Sequence, residues 1–221
     1  MTVKRAWTIS FAAATLLAVM PFAAYASLPM FNPRGPLPFI ITGGPGTIET
    51  SSGEKIVCNS DLGHGNITGL QTFLALVIFH GCIGHSSGGS ECAVHSPGQR
   101  EGLIHVHTVG ELGTIKAGKG AGNIGAIIEP ALGGVFVTIV ASCLTVEETA
   151  IEGVLAGEFP GSNRSQTTGK LVISGSAGKS GITEISVLHK VIKPKVEAFG
   201  LVESSLSHTT ESTADGPIEI T

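Results

Sequence analysis

The sequence predicts an all-β fold, either an antiparallel β-sandwich or a barrel of short strands. Three observations support this prediction: 31 glycines spread between runs of valine, isoleucine and threonine, a chain that is 42% hydrophobic but only 14% charged, and few segments with helical periodicity. Glycine is poor in helices, whereas β-branched residues suit strands. We therefore expect many short strands joined by tight turns, packed around one core.

The first 26 residues have the layout of a cleavable secretory signal peptide. A basic start precedes an uncharged run over 7–20, and Ala24-Tyr25-Ala26 supplies the small residues for a cut between Ala26 and Ser27. This run is shorter than the ~20 residues that cross a bilayer, and no later apolar run reaches that length. We therefore expect a secreted or cell-surface protein, bacterial in type, with no transmembrane segment in the mature chain.

Removing the signal peptide changes the composition. The remaining 195 residues carry 11 basic and 17 acidic side chains, and they keep seven phenylalanines but neither tryptophan nor tyrosine. A mildly acidic chain without a basic stripe argues against a nucleic-acid partner. The missing tryptophan and tyrosine argue against sugars stacked on an aromatic platform.

The mature chain divides into an arm and a domain. Residues 27–46 contain five prolines, which fix extended backbone and remove hydrogen-bond donors, so they predict an extended arm. The β domain is expected to occupy residues 47–221, with a central strand at 73–79 that is apolar on both faces and a turn at Asp215-Gly216. The predicted strands are 55–59, 66–68, 72–80, 103–108, 113–116, 124–129, 135–141, 152–156, 170–174, 183–190, 198–202 and 218–220.

Four cysteines follow the signal peptide: Cys58, Cys82, Cys92 and Cys143. An even number in an oxidising compartment favours two disulfides. Three pairings are possible, and we favour Cys82 with Cys92 as a local clamp and Cys58 with Cys143 as a long-range tie. The alternative is a zinc cage, for which the chain offers His80, Cys82, His85, Cys92 and His95, but disulfides compete for the same sulfurs.

Two histidines and a glutamate form a candidate metal site. His105 and His107 lie two apart on a predicted strand, so both imidazoles share one face about 7 Å apart, and Glu111 follows four residues later. The pattern His-x-His-x-x-x-Glu is similar to the first metal motif of cupins, and such ligands suit a divalent transition metal. No second cupin motif follows, so the alternative is a pair of strand histidines that bind nothing.

The other motifs favour no known chemistry. Residues 120–125 match G-x-G-x-x-G, but a β-like stretch ending at Pro130 follows instead of the helix that a dinucleotide site requires. This predicts a loop between strands.

Several short landmark motifs follow one another along the mature chain. They are Cys58-Asn59-Ser60-Asp61-Leu62-Gly63, Ile78-Phe79-His80-Gly81-Cys82, Gly110-Glu111-Leu112-Gly113-Thr114-Ile115, Ile127-Ile128-Glu129-Pro130, residues 151–157 and Pro217-Ile218-Glu219-Ile220. In these landmarks the chain resembles a group of uncharacterised, secreted, Gly/Thr-rich β proteins of soil actinobacteria. The resemblance implies export, a β fold and the cysteine pattern, and it implies no functional residue.

Together these features predict an exported, non-enzymatic β domain without a cofactor. We expect a structural, adhesive or surface-interaction role, with the cell wall or other exported proteins as partners. The alternative is a secreted metal-binding protein or a metal-dependent, cupin-like enzyme that uses His105, His107 and Glu111.

Overall fold

The computed structural model describes residues 28–32, 36–142, 146–161, 165–200 and 202–221. The predicted signal peptide and its cut between Ala26 and Ser27 lie outside these residues. Among the described residues there is no helix with the length and apolarity needed to cross a bilayer. The strands are β1 (Phe31–Asn32), β2 (Leu37–Gly43), β3 (Gly46–Thr50), β4 (Lys55–Cys58), β5 (Ser60–Ile67), β6 (Thr72–His80), β7 (Ile83–His85), β8 (Glu91–His95), β9 (Leu103–Gly118), β10 (Ile124–Pro130), β11 (Val135–Ser142), β12 (Val146–Glu158), β13 (Gln166–Ile173), β14 (Gly175–Ser176), β15 (Lys179–Ser180), β16 (Ile182–Val187), β17 (Lys190–Ile192), β18 (Lys195–Ala198) and β19 (Val202–Ile220).

The strands close into two antiparallel rings of eight. The first ring runs β9, β10, β12, β13, β19, β2, β5, β6 and back to β9. The second ring runs β3, β4, β7, β8, β11, β12, β18, β19 and back to β3. The all-β antiparallel prediction is confirmed, and closure of both rings makes the fold a barrel.

The two rings enclose one continuous interior. β2 leads into β3 across Gly44 and Pro45, and β4 leads into β5 across Asn59 alone. Apolar side chains from both rings therefore pack into a single core, with Ile67 of the first ring and Ile139 of the second both buried in it.

Strand β6 shows how the wall is built. It lies between β5 and β9, as expected of a central strand, and its alternate residues Phe73 and Ala75 are buried. The outward Leu74, however, is 45% exposed. The prediction of a central strand at 73–79 is confirmed, although the barrel leaves the outer face of this apolar strand partly uncovered.

The proline-rich segment is part of the barrel. β2 pairs with β5 on one side and β19 on the other, so the prediction of a free arm over 27–46 was wrong for its described residues. The ladder between β2 and β19 ends at Phe39, so the missing N–H of Pro38 removes no bond from it. Ahead of it, Phe31 of β1 pairs with Ile220 and packs edge-on against Phe73, which covers one end of the interior.

Glycines face phenylalanines across the wall. Phe39 pairs directly with Gly65, and Phe73 pairs directly with Gly110. A β-carbon at Gly65 would lie 2.3 Å from the Phe39 ring, and one at Gly110 would lie 2.0 Å from the Phe73 ring. Each ring thus occupies the space that a side chain on the neighbouring strand would need.

A small second core lies outside the barrel. The hairpin of β16 and β17 pairs with the end of β9 through β16. Its buried Ile182 and Ile185 pack with Ile115 and Ile127, which face outward from β9 and β10. This hairpin therefore covers part of the outer face of the wall.

The disulfide pairing differs from the prediction. Cys58 is bonded to Cys82, so the pairs Cys58 with Cys143 and Cys82 with Cys92 were wrong. The physical reason is register: β4 and β7 pair Val57 with Ile83, and the next step of the same ladder brings Cys58 opposite Cys82. Cys92 is also disulfide-bonded, whereas Cys143 lies outside the described residues. Because the sulfurs of Cys82 and Cys92 are already bonded, they are not available as ligands for the alternative zinc cage.

Candidate functional site

A cavity of about 200 Å³ lies inside the barrel. Its lining comes from both rings and is almost entirely apolar, with Ile41, Val77, Val106, Ile139 and Leu206 among its side chains. An eight-stranded barrel is just wide enough either to be filled by side chains or to hold one small ligand. Inward positions with little or no side chain, such as Ala75 and Gly169, leave the space unfilled here.

The cavity reaches the surface on one side. β13 pairs with β12 only at Gly157–Ile173 and Glu158–Val172, and the ladder between these two strands goes no further. Three lining residues next to this gap, Pro160, Thr167 and Lys170, are exposed. We call these three residues the rim, because a molecule entering from solvent meets them first.

One strand contributes polar side chains to this mainly apolar lining. The inward-facing residues of β19 include His208, Thr210 and Ser212, and all three line the cavity. The Ser212 hydroxyl donates to the carbonyl of Gly169 at 3.4 Å, and the Thr210 hydroxyl donates to the carbonyl of Thr42 at 3.2 Å. We refer to His208, Thr210 and Ser212 as the polar wall.

The polar wall continues into a buried carboxylate. His208 Nε2 lies 2.9 Å from Asp61 Oδ1, and the two residues are only 5% and 1% exposed. The Thr210 hydroxyl is within 3.4 Å of Asp61 Oδ2, and the Phe79 ring packs against the imidazole with 5.3 Å between ring centroids. The 2.9 Å approach of His208 to Asp61 lacks hydrogen-bond geometry, and neither ring nitrogen of His208 nor Asp61 Oδ1 has a hydrogen-bond partner among the described residues.

Two glycines make room for this pair. Gly43 lies between Asp61 and Thr210 in the register, and a β-carbon there would lie 1.8 Å from Asp61 Oδ1. At Gly46, which lines the cavity, a β-carbon would lie 3.0 Å from His208 Nδ1. His208 Nδ1 therefore faces Gly46, a position that carries no side chain.

The sequence-predicted metal residues lie elsewhere. Val106 lines the cavity, so its neighbours His105 and His107 point outward from β9, and Glu111 shares their face. Four residues of strand separate His107 from Glu111 by about 13 Å, farther than one ion's ligands can be. No group of three His, Cys, Asp or Glu residues in the described ranges is arranged to hold a metal ion. The metal site stays a prediction, which calorimetric titration with Zn²⁺, Ni²⁺ and Mn²⁺ tests.

Glu111 is perturbed by its surroundings. It pairs with Ile127, whose side chain belongs to the outer hydrophobic cluster. Burial raises the pKa of the Glu111 carboxyl, and the negative charge of Glu129 raises it further. The raised pKa of Glu111 therefore has its cause at the outer surface of the barrel, away from the cavity.

Sequence reasoning identified none of the cavity residues. Asp61 and His208 are 147 positions apart, and β19 reads as a polar run of serine and threonine, so only ring closure shows that they meet. The glycine-rich stretch at 120–125 was predicted correctly, since it connects β9 to β10.

Comparisons with known proteins do not indicate a function, so the function has to be inferred from the cavity. No family model, curated protein or solved structure matches this chain.

Proposed function

We propose that this chain is an exported, non-enzymatic protein that binds a small apolar molecule inside its barrel. The observation that carries the proposal is the cavity of about 200 Å³, lined by apolar side chains of both rings and open at the rim. Concave, mostly apolar sites with a few polar groups are the usual binding sites for small molecules. Export is supported by the signal-peptide pattern and by the Cys58–Cys82 disulfide, which suits an oxidising compartment.

The size of the cavity sets the size of the ligand. An engineered protein cavity of roughly 150 Å³ stays dry and takes up benzene, so a cavity of about 200 Å³ suits a molecule with a few more carbons. At about 0.8 kcal/mol per buried methylene-sized group, eight such groups contribute about 6 kcal/mol. That value corresponds to a Kd on the order of tens of micromolar.

Propylbenzene is a suitable probe because it is apolar and of this size. We expect isothermal titration calorimetry of the oxidised protein to show saturable binding with a stoichiometry of one. Ala75→Leu extends a side chain into the cavity and should weaken binding at least tenfold. The matched control is Leu74→Phe, since Leu74 is on the outward face of the same strand and is 45% exposed.

Two outcomes contradict the proposal. The first is the absence of saturable binding at concentrations up to the solubility of propylbenzene. The second is equal affinity of the wild type, Ala75→Leu and Leu74→Phe, which would place binding outside the cavity.

The expected structural, adhesive or surface-interaction role remains a prediction. Partners among cell-wall material or other exported proteins would be recovered by pull-down with the mature protein.

A further inference from the structure

We infer that the ligand of the cavity is a neutral alcohol: an apolar molecule whose single hydroxyl bonds to His208 Nδ1. This inference rests on the proposed function, since it requires the cavity to be occupied. It adds the chemical class of the ligand, which the apolar lining alone does not determine.

The polar wall supplies the first reason. A cavity that takes only hydrocarbon needs no polar lining, yet three consecutive inward positions of β19 are His208, Thr210 and Ser212. Thr210 and Ser212 already donate to backbone carbonyls of neighbouring strands. His208 is the member of this wall without a hydrogen bond in the described part of the chain: Nε2 lies 2.9 Å from Asp61 Oδ1 without hydrogen-bond geometry, and Nδ1 has no partner.

The burial of that nitrogen supplies the second reason. His208 is only 5% exposed, and a buried polar atom without a hydrogen bond destabilises the fold. Nδ1 faces Gly46, which lines the cavity and has no side chain to cover it. A hydroxyl placed above Gly46 would satisfy the nitrogen, and the apolar remainder would fill the cavity.

The neighbouring carboxylate decides between an alcohol and an acid. Asp61 Oδ1 lies 2.9 Å from His208 Nε2, so the site already contains one carboxyl group on the other side of the imidazole. A second carboxylate in the same apolar interior would be poorly solvated and close to the first. A hydroxyl carries no charge and avoids this cost.

Three probes of one size separate the possibilities: propylbenzene, 3-phenyl-1-propanol and 3-phenylpropanoate. In a wholly apolar cavity the alcohol would bind much more weakly than the hydrocarbon, by roughly 30-fold or more, because its hydroxyl would lose its hydrogen bonds to water. We expect the alcohol to bind at least as tightly as the hydrocarbon, and the acid to bind at least tenfold more weakly than the alcohol.

A double variant tests the role of the buried pair. Asp61→Leu with His208→Phe replaces both polar partners by apolar side chains, which a fold tolerates better than the loss of one partner. Binding of the alcohol should fall roughly 30-fold relative to the hydrocarbon, because its hydroxyl then has no hydrogen-bond partner in an apolar cavity. The control is Thr213→Val, on the exposed outer face of β19, which should change neither affinity.

Nuclear magnetic resonance of the wild type gives a second measurement that needs no variant. The alcohol should shift the Nδ1 resonance of His208, and the hydrocarbon should not. If the hydrocarbon binds and the alcohol binds far more weakly, or if the acid binds best, the inference is overturned while the proposed function stands. If none of the three binds, the proposed function itself fails.

Discussion

Asp61 and His208 meet inside the barrel across a strand to which neither belongs. Their side chains come within 2.9 Å of each other, although β2 lies between β5 and β19 in the wall. They can meet because Gly43, at the crossing point, has no side chain. The polar pair and the glycine are therefore one structural unit.

Removing the carboxylate should destabilise the fold. Asp61→Ala leaves the buried imidazole of His208 without its neighbouring carboxyl group, and we expect a loss of about 3 kcal/mol in the free energy of unfolding, measured by urea denaturation. The only other aspartate in the sequence, Asp215, is exposed, so Asp215→Ala should change stability by less than about 0.5 kcal/mol. Equal effects of the two substitutions would show that the buried pair does not stabilise the barrel.

Adjacent glycines should respond differently to the same substitution. Gly43→Ala places a β-carbon 1.8 Å from Asp61 Oδ1, whereas a β-carbon at Gly44 meets nothing within 4 Å. We expect Gly43→Ala to cost about 1–3 kcal/mol and Gly44→Ala to cost little or nothing. In the double variant with Asp61→Ala this clash is absent. Its loss of stability should therefore be smaller than the sum of the losses in the two single variants. Strict additivity would contradict the proposed contact.

Peptide mapping without reduction should recover Cys58 linked to Cys82. For Cys92, which is also disulfide-bonded, we expect Cys143 as the partner, because it is the remaining cysteine of the four in the sequence. The Cys58–Cys82 link spans 24 positions, so the chain-entropy model gives a loss of about 3.5 kcal/mol when it is reduced. A peptide joining Cys82 to Cys92 would contradict the register of β4 and β7.

Glu111 should make stability depend on pH. Burial and the charge of Glu129 raise its pKa in the folded state, so the folded protein holds this proton more tightly than the unfolded chain does. Its contribution to stability is fully present below the ordinary glutamate pKa of 4.5 and is lost as the pH rises through the raised value. Glu111→Gln should therefore be more stable than the wild type at pH 7, but not at pH 3. Thermal unfolding at both pH values measures the difference, and equal effects at both would show that the charge is not responsible.

Much of the β structure could be predicted from local pattern. The predicted strand at 72–80 matches β6 in both bounds, and 124–129 and 135–141 match β10 and β11 to within one residue. In these strands the apolar residues are dense and β-branched, so propensity and burial favour the same conformation.

Most of the last strand was missed, since the predicted strands 198–202 and 218–220 meet only its two ends. The predicted turn at Asp215-Gly216 does not end the strand, since β19 runs from Val202 to Ile220. It does coincide with an irregularity: the ladder with β2 ends at Ala214, and the register with β13 jumps from Thr213 to Ile218. The inward residues of β19 near the middle are histidine, threonine and serine, so the alternation of apolar and polar residues that identifies a half-buried strand is missing. For the same reason the sequence pattern did not predict the polar wall.

Strands β12 and β19 each belong to both rings. This sharing determines which fragments of the molecule can fold independently. A fragment that lacks either strand opens the first ring and the second ring at the same time. Neither half can be cut away as a self-sufficient module. The smallest unit of this protein that folds independently is the whole barrel.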